Sequence, residues 1–167
     1  ANEWTNLTAE FTIPETASDY AVLNIASAVG ENPYNAMNFY IDNVLVEKVA
    51  DKPNNNFENG VSGWSTNFNY TITDSDIVSD PLGINGRSLH IVNRWNCWSA
   101  PLYSMNLEAG KTYRISADVM YNEAPVNNGT VYTIPGFQHF QLQLCSDPAN
   151  LSEYGSFNKE VRANEWT

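Results

Sequence analysis

Short runs in which apolar and polar residues alternate limit how this chain can fold more than any other feature of the sequence. Successive side chains along a β-strand point to opposite faces, so such a run has one face suited to burial. In residues 136–145 the apolar set is Phe140, Leu142 and Leu144. Similar runs recur between Gly, Pro, Asn and Asp residues, and no segment sustains a helical period. The pattern predicts an all-β chain in which two antiparallel sheets pack into a sandwich.

The same alternation predicts the strands and their inward faces. Strands are expected near residues 5–13, 19–27, 38–48, 63–73, 87–93, 101–105, 111–121, 136–146 and 156–163. Two further inward sets are Ala21, Leu23 and Ile25, and Tyr113, Ile115, Ala117 and Val119. The first of these sets turns Tyr20, Val22, Asn24 and Ala26 outward. A length of 167 residues suits one domain with one apolar core, so residues 1–167 are taken as a single unit.

The outward side of residues 136–145 carries a row of polar side chains, namely His139, Gln141 and Gln143. Amides and imidazoles offer both donors and acceptors, which sugar hydroxyls require. A row of this kind suits a sugar platform, and it also suits an ordinary solvated sheet face. Alternation by itself favours the solvated face.

The net charge of the chain limits the classes of partner that it is expected to bind. The chain has 8 Lys and Arg against 19 Asp and Glu, which gives a formal net charge of −11. Such a charge repels nucleic acid and anionic membrane surfaces, and no apolar run approaches the roughly 18 residues that a membrane span needs. Nucleic acid and membranes are therefore not expected as partners. A neutral ligand or a cation suits this composition better, and aromatic residues are abundant, with 5 Trp, 9 Tyr and 7 Phe.

Little in the sequence indicates catalysis. His90 and His139 are its histidines, and it has no Gly-x-Ser-x-Gly, His-Glu-x-x-His or phosphate-loop motif. The acidic residues cluster in segments such as 74–80, where we expect them to be solvated. Cys97 and Cys145 fit no zinc motif, and they either form one disulfide or stay reduced. The chain is therefore predicted not to be an enzyme.

The chain carries the pentapeptide Ala-Asn-Glu-Trp-Thr twice, at residues 1–5 and 163–167. Either a tandem array of similar domains or a circular permutation explains this repeat. In both cases the natural order runs from about residue 51 to 167 and then from 6 to 50. The junction then falls in the polar segment 47–56. Because two copies of one strand start exist, the chain is expected to be a monomer or a strand-swapped oligomer.

In that restored order, a succession of short motifs resembles the carbohydrate-binding modules of family 22, with family 4 as the near relative. They are Asn-Asn-Phe-Glu-Asn-Gly-Val-Ser-Gly-Trp (55–64), Asn-Arg-Trp-Asn-Cys-Trp-Ser-Ala-Pro (93–101), Tyr-Arg-Ile-Ser-Ala (113–117), Phe-Thr-Ile-Pro (11–14) and Phe-Tyr-Ile-Asp-Asn-Val (39–44). The resemblance implies a galactose-binding-like jelly roll with a concave ligand cleft and a structural calcium ion. It also implies a module that bacteria secrete, attached to a glycoside hydrolase that it holds on xylan or mixed-linkage β-glucan.

The resemblance also implies roles for particular residues. The family's Arg-x-x-x-Trp element, whose tryptophan stacks on a sugar ring, corresponds to Arg94 and Trp98. Trp95 either joins the ligand or covers its own loop. Asn67 stands where xylan-binding members often carry arginine, and Asn24 stands on a strand where such members present larger polar groups. Candidates to replace those groups are Tyr103, Tyr132, His139, Gln141 and Gln143. Trp64 and either Trp4 or its copy Trp166 are expected to be structural.

For calcium, the resemblance implies Asp42 and Glu58 as carboxylate ligands, completed by backbone carbonyls near Arg87. Hard oxygen ligands of this kind suit Ca²⁺. The alternative is a pair of solvated carboxylates at strand ends. A rival to glycan binding as a whole is a structural or adhesion repeat of a surface protein.

Overall fold

The alternating runs form strands in the computed structural model of the chain. It describes residues 4–17, 20–27, 37–48, 54–55, 57, 59–79, 86–94, 99–124, 126–127, 130–131, 134, 136–146 and 153–162. The strands form two antiparallel sheets and one small hairpin. The predicted all-β sandwich is therefore confirmed.

The first sheet contains the strands that begin the chain and those of its middle. Its order is β1 (Thr5–Thr12), β9 (Thr112–Met120), β3 (Phe39–Lys48), β7 (Arg87–Ile91) and β6 (Ile77–Ser79), with β4 (Asn54–Asn55) beside β3. A bulge interrupts the pairing of β3 with β9 between Asp42 and Leu45, and Asn43 within it has φ of 48°. Asparagine is among the residues that tolerate this left-handed conformation.

The second sheet has the order β13 (Glu153–Arg162), β12 (Phe137–Cys145), β2 (Tyr20–Ser27), β8 (Pro101–Asn106) and β5 (Trp64–Thr66). The hairpin pairs β10 (Val126–Asn127) with β11 (Thr130–Val131). Successive strands pass repeatedly from one sheet to the other, as they do in a jelly roll.

The core lies between the inner faces of the two sheets. The predicted inward sets are confirmed, because Phe140, Leu142 and Leu144 are fully buried and the other two sets are at most 5% exposed. Phe39 of the first sheet meets Phe140 of the second edge to face, with ring centroids 5.1 Å apart. Such an aromatic pair adds about 0.5–1.5 kcal/mol beyond the burial of its surface.

The segment 63–73 departs from the sequence prediction. Its strand ends at Thr66, whose side-chain hydroxyl hydrogen-bonds to the carbonyl oxygen of Phe68 at 2.9 Å and to that of Tyr70. A side chain that satisfies nearby backbone carbonyls favours a turn over a continued ladder. The predicted strand was therefore too long.

The acidic segment that follows is also different from the prediction. Residues Asp74–Asp76 form a 3₁₀ turn, and Asp76 is 8% exposed instead of solvated. Its carboxylate accepts hydrogen bonds from the Tyr70 hydroxyl and from the Thr73 N–H, the latter at 2.7 Å. The bond to this carboxylate raises the pKa of Tyr70 to about 12. The buried Asp76 carboxylate thus stabilises the turn through these hydrogen bonds. The strand that follows, β6, was not predicted.

Within the described part of the chain, no helix has the length and apolar content that crossing a membrane requires.

Candidate functional site

The second sheet turns one side away from the core, and this side is called the outer face below. Directly paired residues of an antiparallel sheet share a face. One such row across the strands joins Gln143 of β12 to Asn24 of β2. The adjacent row joins Gln141 to Ala26 on one side and to Asn158 of β13 on the other. The strand pairing thus brings three predicted site residues, Asn24, Gln141 and Gln143, into one patch.

Two of the three amides of this patch are buried and incompletely paired. Asn24 donates from Nδ2 to Oε1 of Gln143 at 3.0 Å. Asn24 is 1% exposed and Gln141 is 9% exposed. Among the described residues, Asn24 Oδ1 and Gln141 Oε1 have no hydrogen-bond partner. A buried acceptor left in this state costs about 1–3 kcal/mol, so the patch is suited to a ligand that donates hydrogen bonds.

An apolar cluster adjoins the amides on the same face. It consists of Val22, Leu102 and Cys145, and none of the three is more than 2% exposed. The outward direction predicted for Val22 and Ala26 is confirmed, yet both are buried. The floor of the face therefore combines apolar surface with hydrogen-bonding groups. Cys97 lies outside the described residues, so the disulfide alternative stays open.

The two edges of the outer face are exposed. On one side lie His139 and Asn158 of β12 and β13. On the other lies Asn67, whose N–H donates to the Ala100 carbonyl at 3.3 Å and whose Oδ1 accepts from the Ala100 N–H at 2.8 Å. Through these two bonds Asn67 pairs with Ala100, one position beyond the last residue of β5. The structure places His139 and Asn67, both predicted site residues, at opposite borders of one surface.

Arg94 is predicted to contact ligand, and the structure places it in the protein interior at 4% exposure. Its Nε donates to the Ser99 carbonyl at 2.5 Å, and one terminal nitrogen donates to Ser27 Oγ and the Met37 carbonyl, both at 2.6 Å. The guanidinium carbon also lies 4.7 Å from the centroid of the Phe39 ring. Arg94 therefore ties the loop before β8 to the end of β2, and the ligand contact stays a prediction.

Tyr103 does not join the outer face. It lies opposite Leu23 and Trp64 on the inner side of its sheet, with its ring 5.1 Å from that of Trp64. There it lines a largely apolar cavity of about 210 Å³ between the sheets. Trp64 itself is 8% exposed and packs against Phe57, which confirms the structural role predicted for it.

Four predicted site residues lie outside the described residues: Trp95, Trp98, Tyr132 and Glu58. The predicted aromatic stacking and one of the two predicted calcium carboxylates therefore stay predictions.

The remaining calcium residues lie on the first sheet. Asp42 is fully buried, and its Oδ1 accepts the Asn43 N–H at 2.7 Å. Arg87 is exposed at the first position of β7. No group of three or more His, Cys, Asp or Glu that could hold a metal ion occurs in the part of the chain that the structure describes. Asn55 pairs with Val44, which brings the segment before Glu58 alongside the strand that carries Asp42.

A second polar cluster lies on the first sheet and is separate from the outer face of the second sheet. Tyr40 stacks on His90 with ring centroids 4.2 Å apart, and Glu123 accepts the Tyr40 hydroxyl at 2.9 Å. His90 Nε2 lies 2.9 Å from Glu123 Oε1. Burial lowers the pKa of His90, and Glu123 opposes this shift. Burial, aided by Glu123, raises the pKa of Tyr40.

Sequence reasoning missed two contributors to the outer face. Phe137 is 54% exposed and stands at the start of the row that contains His139, Gln141 and Gln143. The alternation already placed Phe137 on this side, because it is two residues before His139. Asn158 could not be assigned in the same way, since its place beside Gln141 depends on the pairing of β12 with β13.

Comparison with known protein families gives one finding. Residues 53–136, just over half of the chain, match the model of a family described as a carbohydrate binding domain, CBM_4_9. This range includes β5 and β8 of the second sheet and the loop that contains Arg94. No curated protein matches the chain.

Proposed function

Because the chain belongs to this family of carbohydrate-binding domains, we propose that it binds plant cell-wall polysaccharide on the outer face of its second sheet. The observation that carries this proposal is the pair of buried amide oxygens, Asn24 Oδ1 and Gln141 Oε1, that lack partners among the described residues. A sugar hydroxyl is a donor of the kind that these oxygens require.

The proposed ligand is xylan or mixed-linkage β-glucan, the two polymers that the likeness to family 22 favours. Trp98 supplies the ring that stacks on the C–H side of a pyranose. Asn24, Gln141 and Gln143 orient the hydroxyls. A neutral polymer also suits a chain with a net charge of −11.

The proposed role is targeting without catalysis. A module that holds a polysaccharide raises the local concentration of any catalytic domain joined to it. We therefore place the chain in a secreted bacterial protein that carries a glycoside hydrolase.

A structural calcium ion is the proposed cofactor, with Asp42 and Glu58 as carboxylate ligands and a backbone carbonyl near Arg87. The buried carboxylate of Asp42 and the pairing of Asn55 with Val44 support this assignment. An ion bound only by the folded state stabilises it by mass action. Chelation is accordingly expected to lower the melting temperature, and Asp42→Asn is expected to abolish that response. An unchanged melting curve in chelator would contradict the proposed calcium site.

The proposed natural order runs from about residue 51 to 167 and then from 6 to 50. Two observations support it: the family match begins at residue 53, and Lys159 near the end of β13 donates to the Asn6 carbonyl at 2.9 Å. A variant that joins residue 167 to residue 6, and opens the chain before residue 51, is expected to fold with a similar melting temperature. Failure of this variant to fold would contradict the proposed order.

Affinity electrophoresis in gels that contain xylan, β-glucan or an unrelated polysaccharide tests the function. Retardation by xylan or β-glucan is expected for the parent chain and loss of retardation for Trp98→Ala and Gln141→Leu. Asn6→Leu is the matched control, because it replaces an amide on the first sheet. No retardation by any glycan would favour the rival function of a structural or adhesion repeat, and release of sugar would indicate an enzyme.

A further inference from the structure

Phe137 is an exposed aromatic residue in an unusual position. Only Phe137 and Val131 are large exposed hydrophobic residues in the described part of the chain, at 54% and 69% exposure. Single exposed hydrophobic residues are common, so exposure by itself indicates no function. Phe137 differs from Val131 because it continues the polar row of the outer face, whereas Val131 belongs to the separate β10–β11 hairpin.

The strand pairing surrounds Phe137 with polar groups. Phe137 lies directly opposite Arg162, and His139 lies directly opposite Glu160, so all four share one face. The rings of Phe137 and His139 are 6.1 Å apart and nearly perpendicular. These residues, with Asn158, are exposed and are called the edge shelf below. At about 3.4 Å per residue, the whole row from Gln143 to Phe137 is about 20 Å long.

The chemistry of the edge shelf matches that of a sugar ring with its hydroxyls. An aromatic ring packs against the apolar C–H side of a pyranose and loses little conformational entropy on binding. Arg162 Nε donates to Glu160 Oε1 at 3.0 Å, and the carboxylate of Glu160 adds an acceptor to the shelf. Charged groups make stronger hydrogen bonds to hydroxyls than neutral groups do. Stacking surface and polar partners thus lie on neighbouring positions of one ladder.

We propose that the edge shelf is an additional subsite in which Phe137 stacks on a neutral β-linked pyranose of the same polysaccharide chain. This inference rests on the proposed function, since the shelf continues the amide floor of the outer face. The floor is buried, whereas the shelf is exposed. Because the shelf lies beyond Gln141 in the row, it adds affinity for longer chains that extend past that residue. It also sets a preference for long over short oligosaccharides.

Calorimetric titration with xylan and β-glucan oligosaccharides of three to six sugars tests the proposal. Phe137→Ala is expected to weaken binding of the hexasaccharide about threefold to tenfold and to leave the shortest ligand unaffected. Phe137→Tyr is expected to retain the parent affinity, because it keeps the ring. Val131→Ala is the control, since it removes an exposed apolar side chain away from the face.

Two results overturn the subsite. One is an unchanged hexasaccharide affinity in Phe137→Ala, and the other is an equal loss for all lengths, which would assign the ring to the main site. Neither result affects the proposed function, because the parent chain still binds. If the parent binds no member of the series, the proposed function fails and the subsite fails with it. Circular dichroism melting of each variant excludes unfolding as the cause of lost affinity.

Discussion

The outer faces of the two sheets follow the same alternating pattern but use their polar side chains differently. Along β1 and β9 of the first sheet these groups bond to one another. Asp118 accepts from Nδ2 of Asn6 at 2.7 Å and from Nδ2 of Asn43 at 2.9 Å, and Arg114 pairs with Glu10 at 2.8 Å. On the second sheet, acceptor oxygens remain that no described residue satisfies.

This difference separates a solvated sheet face from a candidate binding face. A face whose donors and acceptors already bond across strands offers little to a ligand, because the ligand must displace those bonds. A face with buried acceptors in need of donors gains by binding hydroxyls. We therefore expect a stability role for the polar residues of β1 and β9, and a binding role for those on the outer face of the second sheet.

The largest effect on stability is expected where the second sheet is anchored. Arg94→Met removes the donor to Ser99, Ser27 and Met37, and leaves those oxygens buried. The free energy of unfolding is expected to fall by about 3 kcal/mol in urea denaturation. Arg94→Lys should lose less, because one or two of these bonds can reform. A stable Arg94→Met that has lost glycan binding would instead support the ligand contact predicted for Arg94.

The next effect distinguishes the two faces directly. Asp118→Ala removes the acceptor for two amides, so we expect it to lower the free energy of unfolding by about 1–2 kcal/mol and to leave glycan affinity unchanged. Gln141→Leu removes a buried acceptor that lacks a partner, so we expect unchanged stability and a glycan affinity about tenfold lower. Denaturation and calorimetry on both variants measure the two quantities. If both substitutions lowered the free energy of unfolding by the same amount, the proposed distinction between the two faces would be wrong.

A smaller effect is expected from pH at His90 on the first sheet. Burial lowers the pKa of His90 below its ordinary value of 6.5, so the unfolded chain binds the proton more readily than the folded chain. The contribution of His90 to stability is therefore present above the unfolded pKa and is lost as the pH falls through the lowered, folded pKa. His90→Gln should reduce the loss of stability between about pH 7.5 and about pH 5.5. Urea denaturation at these pH values measures it, and an unchanged pH dependence would contradict the assignment.

The smallest effect is expected for the exposed ion pair of the first sheet. Glu10→Gln breaks its contact with Arg114, and both side chains are about half exposed. Solvent screens such pairs strongly, so no change in unfolding beyond experimental error is expected. A clear loss of stability would show that cross-strand pairs of this face act as a network.

Whether the sequence predicts a structural feature depends on whether that feature is determined by residues that are close together in the chain. Alternation predicts the inward side chains Phe140, Leu142 and Leu144, because the direction of a side chain along a strand depends on its neighbours in the sequence alone. It cannot predict that Asn24 bonds to Gln143, since these residues are far apart in the chain and meet only through the pairing of β2 with β12.

Burial of polar groups is the other feature that the sequence does not predict. The segment 74–80 was expected to be solvated because it is acidic, yet Asp76 accepts bonds from Tyr70 and Thr73 and is buried. Nor does the sequence predict that backbone carbonyls and a serine hold Arg94 at 4% exposure. In both cases the deciding partners depend on how other segments fold around the residue, which the residue pattern does not specify.

The face that binds glycan is located by mapping backbone amide shifts by NMR during titration with a xylan or β-glucan oligosaccharide. If the outer face of the second sheet binds glycan, the shifts concentrate on β2, β12 and β13, and include Asn24, Gln141 and Phe137. Amides of β1 and β9 should remain unchanged. Shifts that concentrate on the first sheet, or no shifts at saturating oligosaccharide, would contradict the proposed binding face.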